Sequence, residues 1–207
     1  MLHILMLEIF IQTFFLYFIV IDPLGNTPLF LAVTQNMSSQ QRIKTALNAT
    51  IIASTILLFF VLLGSSLLSY LNISFPAFTI GGGIILLIIS IEMLFDKRQQ
   101  RKEGDIDFTS ENVSIFPLAT PIIAGPAAIT SVIVSVSDMG SNFTNQSVGM
   151  ISLALVLTLT FILFFVGAKF SQLINKKVIG VISRVIAIIL VGLSVQYILD
   201  GIKTFLA

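Results

Sequence analysis

Six long apolar segments follow one another along the 207-residue chain and are separated by polar stretches. Each is close to or above the roughly 20 apolar residues that a helix needs to span a bilayer. We therefore predict six transmembrane helices, which lie near residues 9–34, 47–70, 77–95, 113–136, 149–173 and 182–204.

Two of these segments, the first and the fourth, are interrupted by proline, glycine and polar residues. The first contains FIVIDPLGNTPLFL at 18–31, and the fourth contains PLATPIIAGPAAIT at 117–130. Non-helical backbone is tolerated in a membrane only where protein or a water-filled cavity surrounds it. Each interrupted segment is therefore either a broken helix that crosses or a loop that dips in and returns.

The positions of the basic residues favour two full crossings. Lys and Arg accumulate on the cytoplasmic flanks of membrane helices. If both interrupted segments cross, ten of the eleven basic residues lie on one side of the membrane and only Lys203 lies on the other. If both return, the split is seven to four. We therefore predict a multi-pass protein of the cell membrane with both termini outside the cytoplasm.

The two halves of the sequence resemble each other in order. IILLIISIEMLFD at 84–96 aligns with IILVGLSVQYILD at 188–200, and the shared positions include Ser90 and Ser194. The two interruptions align in the same order, because Gly25 and Gly125 follow Pro-containing dipeptides in both. Matched breaks in matched positions argue that the second half repeats the first.

Three crossings in each half insert the second half upside down. We therefore predict an all-α integral membrane protein in which the six helices form two inverted three-helix repeats, residues 1–95 and 113–207. The charged stretch 96–112 is predicted to be a cytoplasmic linker, and the first and fourth helices are predicted to be broken. Inverted repeats with paired broken helices are the architecture of secondary transporters, whose substrate site lies at the breaks.

Composition narrows the class of function. Hydrophobic residues make up 56% of the chain and charged residues only 10%, where a soluble domain has about a quarter. A net charge of +1 gives no case for nucleic acid, and the absence of cysteine removes thiolate chemistry. The single histidine is His3, and no close acid pair lies within a span, so an intramembrane enzyme is disfavoured. We expect no cofactor and no metal.

The breaks themselves supply the chemistry. Pro at the first helical position after a polar residue is typical of a helix N-terminus, and Asp22-Pro23, Thr27-Pro28 and Thr120-Pro121 all have this form. Each break is therefore predicted to present the positive end of one half-helix and the negative end of another at membrane depth. An amino-acid zwitterion needs that combination, with N–H groups for its carboxylate and carbonyls for its ammonium.

The neighbouring side chains limit the ligand to a small one. Alanines surround the second break, and no buried cation is available for an acidic substrate. Asp22 is a helix cap, a ligand or both. Glu92 is a second candidate for coupling, although it lies where its carboxylate can extend to the cytoplasmic surface. The glycines at 81–83 are typical of close helix packing, with a pore lining as the alternative.

The motifs IDPLGNTPLFL, PAFTIGGGIILLIISIEMLF and PLATPIIAGPAAIT resemble those of the MarC family of six-helix membrane proteins, over nearly the whole chain. The resemblance implies transport, because that family, also called the neutral amino acid transporter family, includes members that move glycine and alanine. The chain departs from the family at Ala127, where members often have glycine, which bears on the exact substrate.

We therefore expect alternating-access transport of small neutral amino acids, with coupling to protons and the direction left open. An exporter or passive channel for another small metabolite is the alternative. The expected partners are the substrate, protons if coupling exists, and the lipid bilayer. The predicted substrate-binding residues are Asp22, Pro23, Gly25, Asn26, Thr27, Pro28, Thr120, Pro121, Ala124, Gly125 and Pro126; the candidate coupling residues are Asp22 and Glu92.

Overall fold

The computed structural model describes residues 2–95, 113–140, 142–170 and 176–206, and the regular structure in this part of the chain is all helical. The predicted linker 96–112 lies outside the described residues. In chain order the helices are α1 (Leu2–Ile21), α2 (Pro23–Val33), α3 (Ser39–Tyr70), α4 (Phe75–Leu94), α5 (Ser114–Ile123), α6 (Pro126–Asp138), α7 (Phe143–Lys169) and α8 (Lys176–Leu206).

Five spans are long and apolar enough to cross a membrane. Helices α1 and α2 form one of them, Ile4–Val33, and α3, α4, α7 and α8 supply the other four. Helices α5 and α6 meet at a bend of 53°, and as one span they bring the number to six. The prediction of an all-α multi-pass membrane protein is confirmed.

The outward faces of the helices are strongly apolar. Ile4, Leu62, Val181 and Ile188 each expose more than 60% of their surface. Apolar patches of this extent are unusual on a soluble monomer, and they suit contact with lipid chains. The interior carries the polar minority, including buried threonine and serine hydroxyls that bond to carbonyls of their own helix.

Polar side chains fix the turn between α2 and α3. Ser38 and Gln41 form a capping box, in which each side chain accepts a hydrogen bond from the backbone N–H of the other. The guanidinium of Arg42 donates to the carbonyls of Thr34 at 3.0 Å and Gln35 at 2.9 Å. A cation at the end of α2 also matches the negative end of the helix dipole.

Helices α4 and α8 pack closely and run antiparallel. Gly83 of α4 lies against Ile198, and Gly201 of α8 lies against Ile80. Since the residue number falls along α8 as it rises along α4, the two helices point in opposite directions. Near the middle of the pair, Ser90 and Ser194 are both fully buried, and each donates to the carbonyl three residues earlier in its own helix.

The remaining spans pack crosswise between the two halves. Helices α1 and α2 both lie against α7, and α5 and α6 both lie against α3. The α1–α7 contact includes a hydrogen bond from Thr13 Oγ1 to Ser152 Oγ at 2.8 Å. The α2–α7 contact includes Phe30 and Phe164, whose buried rings are stacked with centroids 4.5 Å apart. Each interrupted span is therefore held by an unbroken helix of the other half.

Candidate functional site

The first interruption is a single residue, Asp22. Its backbone lies in the left-handed region at φ 52° and ψ 62°, which Asp tolerates better than most residues. Backbone hydrogen bonds continue on both sides, from Asp22 N–H to the Phe18 carbonyl and from Asn26 N–H to the Asp22 carbonyl, both at 3.0 Å. The Asp22 carboxylate accepts a hydrogen bond from Gly25 N–H at 3.0 Å. Asp22 is therefore the N-cap of α2, which is one of the roles predicted for it from the sequence.

The prediction of a second helix start at Thr27-Pro28 is wrong. Helix α2 begins at Pro23, and both Thr27 and Pro28 lie inside it. The Thr27 hydroxyl donates to the carbonyl of Pro23 at 2.8 Å. Pro28 has no N–H to continue the helical ladder, and the Asp22 cap had already begun the helix one turn earlier.

The second interruption is longer and more distorted. Within α5, Phe116 and Thr120 have extended backbone angles, and Thr120 lies at φ −136° and ψ 130°. Helix α6 begins only at Pro126, with Gly125 as its N-cap. Thr120, at the predicted start Thr120-Pro121, has the extended backbone of a residue that precedes a helix, but only a short turn to Ile123 follows it, and the longer helix begins at Gly125-Pro126. The two prolines of PIIAGP share one break, and regular helix resumes only after the second.

The two breaks meet inside the bundle through Asn26. Its Nδ2 donates to the carbonyl of Ile21 at 2.6 Å in the first break and to the carbonyl of Ile122 at 3.2 Å in the second. Asn26 is 1% exposed, and its Oδ1 is buried without a hydrogen-bond partner among the described residues. One side chain thus joins both breaks and leaves one acceptor unused at their junction.

The two aligned glycines are required for different local reasons. A Cβ on Gly25 would overlap the carboxylate of Asp22, so glycine keeps the cap in place. A Cβ on Gly125 would lie 2.5 Å from the carbonyl oxygen of Pro121, so glycine lets the chain turn into α6. At the first break the Asp22 side chain can rotate away from an added Cβ, but at the second break the Pro121 carbonyl belongs to the backbone and cannot rotate away.

The electrostatics of the junction follow from the helix ends. Helices α1 and α5 direct the negative ends of their dipoles at the breaks, and α2 and α6 direct their positive ends at the same region. Asp22 adds a buried carboxylate, at 3% exposure. The junction therefore offers both N–H donors and carbonyl acceptors away from bulk water, as a zwitterion requires.

The other predicted site residues differ in where their side chains lie. Ala124 is buried at the second break, Thr120 is half-buried, and the rings of Pro121 and Pro126 are exposed. The structure therefore places the backbone of these prolines, and not their rings, at the junction.

Glu92, the second candidate for coupling, is half-buried in the last turn of α4. Asp22 is followed in its own span by the whole of α2, which is roughly 16 Å long. Glu92 thus lies at the end of its helix, whereas Asp22 lies at a break within its span.

Two buried hydroxyls were missed by the sequence reasoning. Ser131 Oγ and Tyr197 Oη lie near each other in the interior, and within the described residues neither has a hydrogen bond that satisfies normal geometry. A signal for Ser131 exists in the sequence, because Ser131, Ser135 and Asp138 recur at i, i+4 and i+7 on α6. No comparable pattern indicates Tyr197.

The geometry defines a class, namely a multi-pass integral membrane protein in which two broken spans from different halves meet inside the bundle. Comparison with known sequences identifies the family. The sequence model described as MarC family integral membrane protein matches residues 7–206, and the chain belongs to this family. The family predicted from the break motifs is confirmed.

Individual relatives extend over nearly the full length. The chain is 34% identical over 201 residues to a UPF0056 membrane protein of Archaeoglobus fulgidus, covering 95% of this chain and 93% of the relative. It is 32% identical to the UPF0056 membrane protein MJ1677 of Methanocaldococcus jannaschii, covering 95% and 97%. It is 30% identical to the UPF0056 inner membrane protein YhgN of Escherichia coli, covering 92% and 94%. No solved structure matches the chain.

Proposed function

We propose that this protein is a secondary transporter of small neutral amino acids such as glycine and alanine, and that it alternates access around the junction of the two breaks. The observation that carries the proposal is Asn26, which bonds to both breaks and retains a buried, unused acceptor. A structural asparagine in an apolar interior normally has all its hydrogen-bonding groups satisfied. An unused oxygen between two helix ends suits the ammonium of a substrate.

The packing supports two inverted repeats. Exchanging the halves maps α4 onto α8, and it maps the α1–α7 and α2–α7 contacts onto the contacts of α5 and α6 with α3. The pair α4 and α8 is antiparallel, as inversion requires. Ser90 and Ser194, which the repeat aligns, make the same hydrogen bond within their helices.

The junction favours a small ligand. Ala119, Ala124, Ala127 and Ala128 line the second break and are all at most 5% exposed. The described conformation is closed around the junction, because Asp22, Asn26 and Thr27 are also buried. Access from either side therefore requires the two broken spans to separate, and the contacts between them that must change include the Asn26–Ile122 hydrogen bond and the packing of α1 on α6.

Uptake of labelled glycine and alanine into proteoliposomes, with and without an inward proton gradient, tests the proposal. Saturable uptake with counterflow supports a transporter and excludes a passive channel. Acceleration by the gradient supports proton coupling, and indifference to the gradient removes coupling while keeping the substrate. No uptake above empty liposomes refutes glycine and alanine as substrates and favours the alternative, export of another metabolite.

Asn26→Ala provides the site-specific arm of the same assay. Loss of the hydrogen bond from the Asn26 side-chain oxygen to the substrate ammonium is expected to lower uptake about tenfold or more, since a hydrogen bond to a charged group contributes roughly 1.5–3 kcal/mol. The control is Asn48→Ala, because Asn48 is exposed on α3. Equal loss in both variants, or no loss in Asn26→Ala, contradicts a substrate role for Asn26.

The proposed orientation places residues 2 and 206 outside the cytoplasm and Arg42 inside it, in line with the ten-to-one division of basic residues. The chain has no cysteine, so single cysteines report on sidedness without background. Asn72→Cys, in the turn after α3, is expected to react with an impermeant thiol reagent added to intact cells, and Gln35→Cys is not. The reverse pattern refutes the orientation.

A further inference from the structure

A cavity with charged and polar residues in its lining lies beside the ends of α4, α6 and α8, at the end of the bundle where α8 finishes. Its volume is about 490 Å³, which is ample for a small amino acid. Its polar lining consists of Thr79, Asp138, Tyr197, Asp200, Lys203 and Thr204. In the orientation proposed above, it faces the outside of the cell.

The charges in this cavity are of both signs. Asp138 of α6 and Asp200 of α8 are close enough for their charges to interact. Asp200 also accepts a hydrogen bond from Gln196 Nε2 at 2.9 Å. Lys203 follows Asp200 by three residues, which places both on one face of α8. Two carboxylates with one ammonium match the charged groups of a zwitterion.

Tyr197 is an independent sign of a ligand at this place. It lines the cavity about one helical turn deeper than Asp200, it is 7% exposed, and within the described residues its hydroxyl lies near that of Ser131 without a hydrogen bond of normal geometry. Ser131 is fully buried, and in the described part of the chain its hydroxyl likewise makes no hydrogen bond of normal geometry. Buried hydroxyls normally form good hydrogen bonds. These two hydroxyls are therefore available to bond to a polar group of the substrate that passes between them.

The same helix face leads from the cavity to the breaks. Asp138, Ser135 and Ser131 follow one another along α6, and Ser131 lies six residues, or roughly 9 Å, from Gly125 at the second break. Ser135 in turn interacts with Tyr17 of α1. A row of polar groups thus connects the outer cavity with the junction at Asn26.

We propose that this cavity is the outer recognition site for the zwitterionic amino acid. Asp138 and Asp200 bind its ammonium, Lys203 binds its carboxylate, and Tyr197 with Ser131 forms the gate to the breaks. The inference rests on the proposed transport function and adds a second, outer binding step to it.

Single-cysteine labelling tests the recognition site without relying on transport. Thr204→Cys places a thiol in the cavity, and Ser65→Cys places one in a neighbouring cavity of about 310 Å³ whose described lining carries no charged residue. A cationic methanethiosulfonate is expected to label Thr204→Cys faster than an anionic one, by roughly tenfold or more relative to Ser65→Cys, because carboxylates in a cleft concentrate cations.

Protection by glycine is the second readout. Glycine at about ten times its dissociation constant is expected to slow labelling of Thr204→Cys roughly tenfold and to leave Ser65→Cys unchanged. Adding Asp138→Asn and Asp200→Asn together is expected to abolish both protection and cation preference. If the parent protein takes up glycine but glycine gives Thr204→Cys no protection, this inference is wrong and the transport proposal stands. If glycine neither protects nor enters, both are wrong.

Tyr197→Phe tests the gate. A buried hydroxyl that makes no hydrogen bond of normal geometry can be removed with little loss of thermal stability. We expect stability to be kept and glycine protection of Thr204→Cys to be unchanged, while the maximal rate of uptake falls. An unchanged maximal rate overturns the gate, and a loss of protection at equal stability moves Tyr197 into the recognition site.

Discussion

Asp22 allows a capping role to be separated from a coupling role with three substitutions. The residue combines a left-handed backbone, at φ 52°, with a carboxylate that accepts a hydrogen bond from Gly25 N–H. Asp22→Asn keeps an acceptor oxygen and a residue type that tolerates this conformation, but it cannot take up a proton. Asp22→Gly relieves the backbone and removes the cap, and Asp22→Ala removes the cap and keeps the strain.

The expected stabilities follow in that order. Loss of an N-cap costs about 0.5–2 kcal/mol, and the upper half applies here because the Gly25 N–H is buried. The left-handed conformation costs a residue with a Cβ a further 1–2 kcal/mol or so relative to glycine. We therefore expect Asp22→Asn to lose under about 1 kcal/mol, Asp22→Gly about 1–2 and Asp22→Ala about 2–4.

Reversible unfolding in mixed detergent measures this series, and uptake with and without a proton gradient measures coupling in the same proteins. If Asp22 is only a cap, Asp22→Asn transports with the gradient response of the parent protein. If it also carries the coupling proton, Asp22→Asn is stable and indifferent to the gradient. Equal stability of Asp22→Ala and Asp22→Asn would refute the capping argument itself.

Two further predictions concern packing between helices. Gly82→Ala is expected to lower stability, because the new Cβ would overlap Cγ2 of Thr130. Thr130→Ser should recover part of the loss, since it removes Cγ2 but keeps the Cβ 2.9 Å away, and Gly81→Ala is the control, since nothing lies within 4 Å of that site. Failure of Thr130→Ser to rescue contradicts the contact. Phe164→Ala removes one ring of the buried stack with Phe30. It is expected to lower the free energy of unfolding by no more than about 3 kcal/mol, the low end for buried phenylalanines, because helices that separate in a membrane expose their side chains to lipid and not to water. Thermal unfolding in detergent measures both, and a Phe164→Ala variant as stable as the parent contradicts the second.

The spans were predictable because length and apolarity are properties of the sequence alone. The first predicted segment, 9–34, corresponds to Ile4–Val33, and the segment 113–136 corresponds to α5 and α6 together. The helix starts inside the breaks were less predictable. Sequence offered several polar-proline pairs, and local competition among caps decides between them. Asp22 begins α2 first, which leaves Thr27-Pro28 inside a helix that already exists.

The candidate site was predictable in part. The motif around Asp22 and Gly25 indicated a capped break, and the structure contains that cap. The link from Asn26 to the Ile122 carbonyl joins residues 96 positions apart, so no local pattern contains it. The same holds for the approach of Tyr197 to Ser131, which depends on how α8 packs beside α6. The chemistry of each break is local, whereas their meeting is a tertiary property.

The close contact between α4 and α8 has a consequence for how freely the sequence can vary. An added Cβ on Gly83 would lie 2.8 Å from the Ser194 carbonyl oxygen, and one on Gly201 would lie 2.9 Å from that of Pro76. Each helix therefore presents a glycine to a backbone oxygen of the other, a geometry suited to Cα–H···O contacts. Backbone atoms cannot be exchanged by mutation. A saturation scan of this pair is expected to show two intolerant glycine positions amid lipid-facing sites that accept most apolar residues.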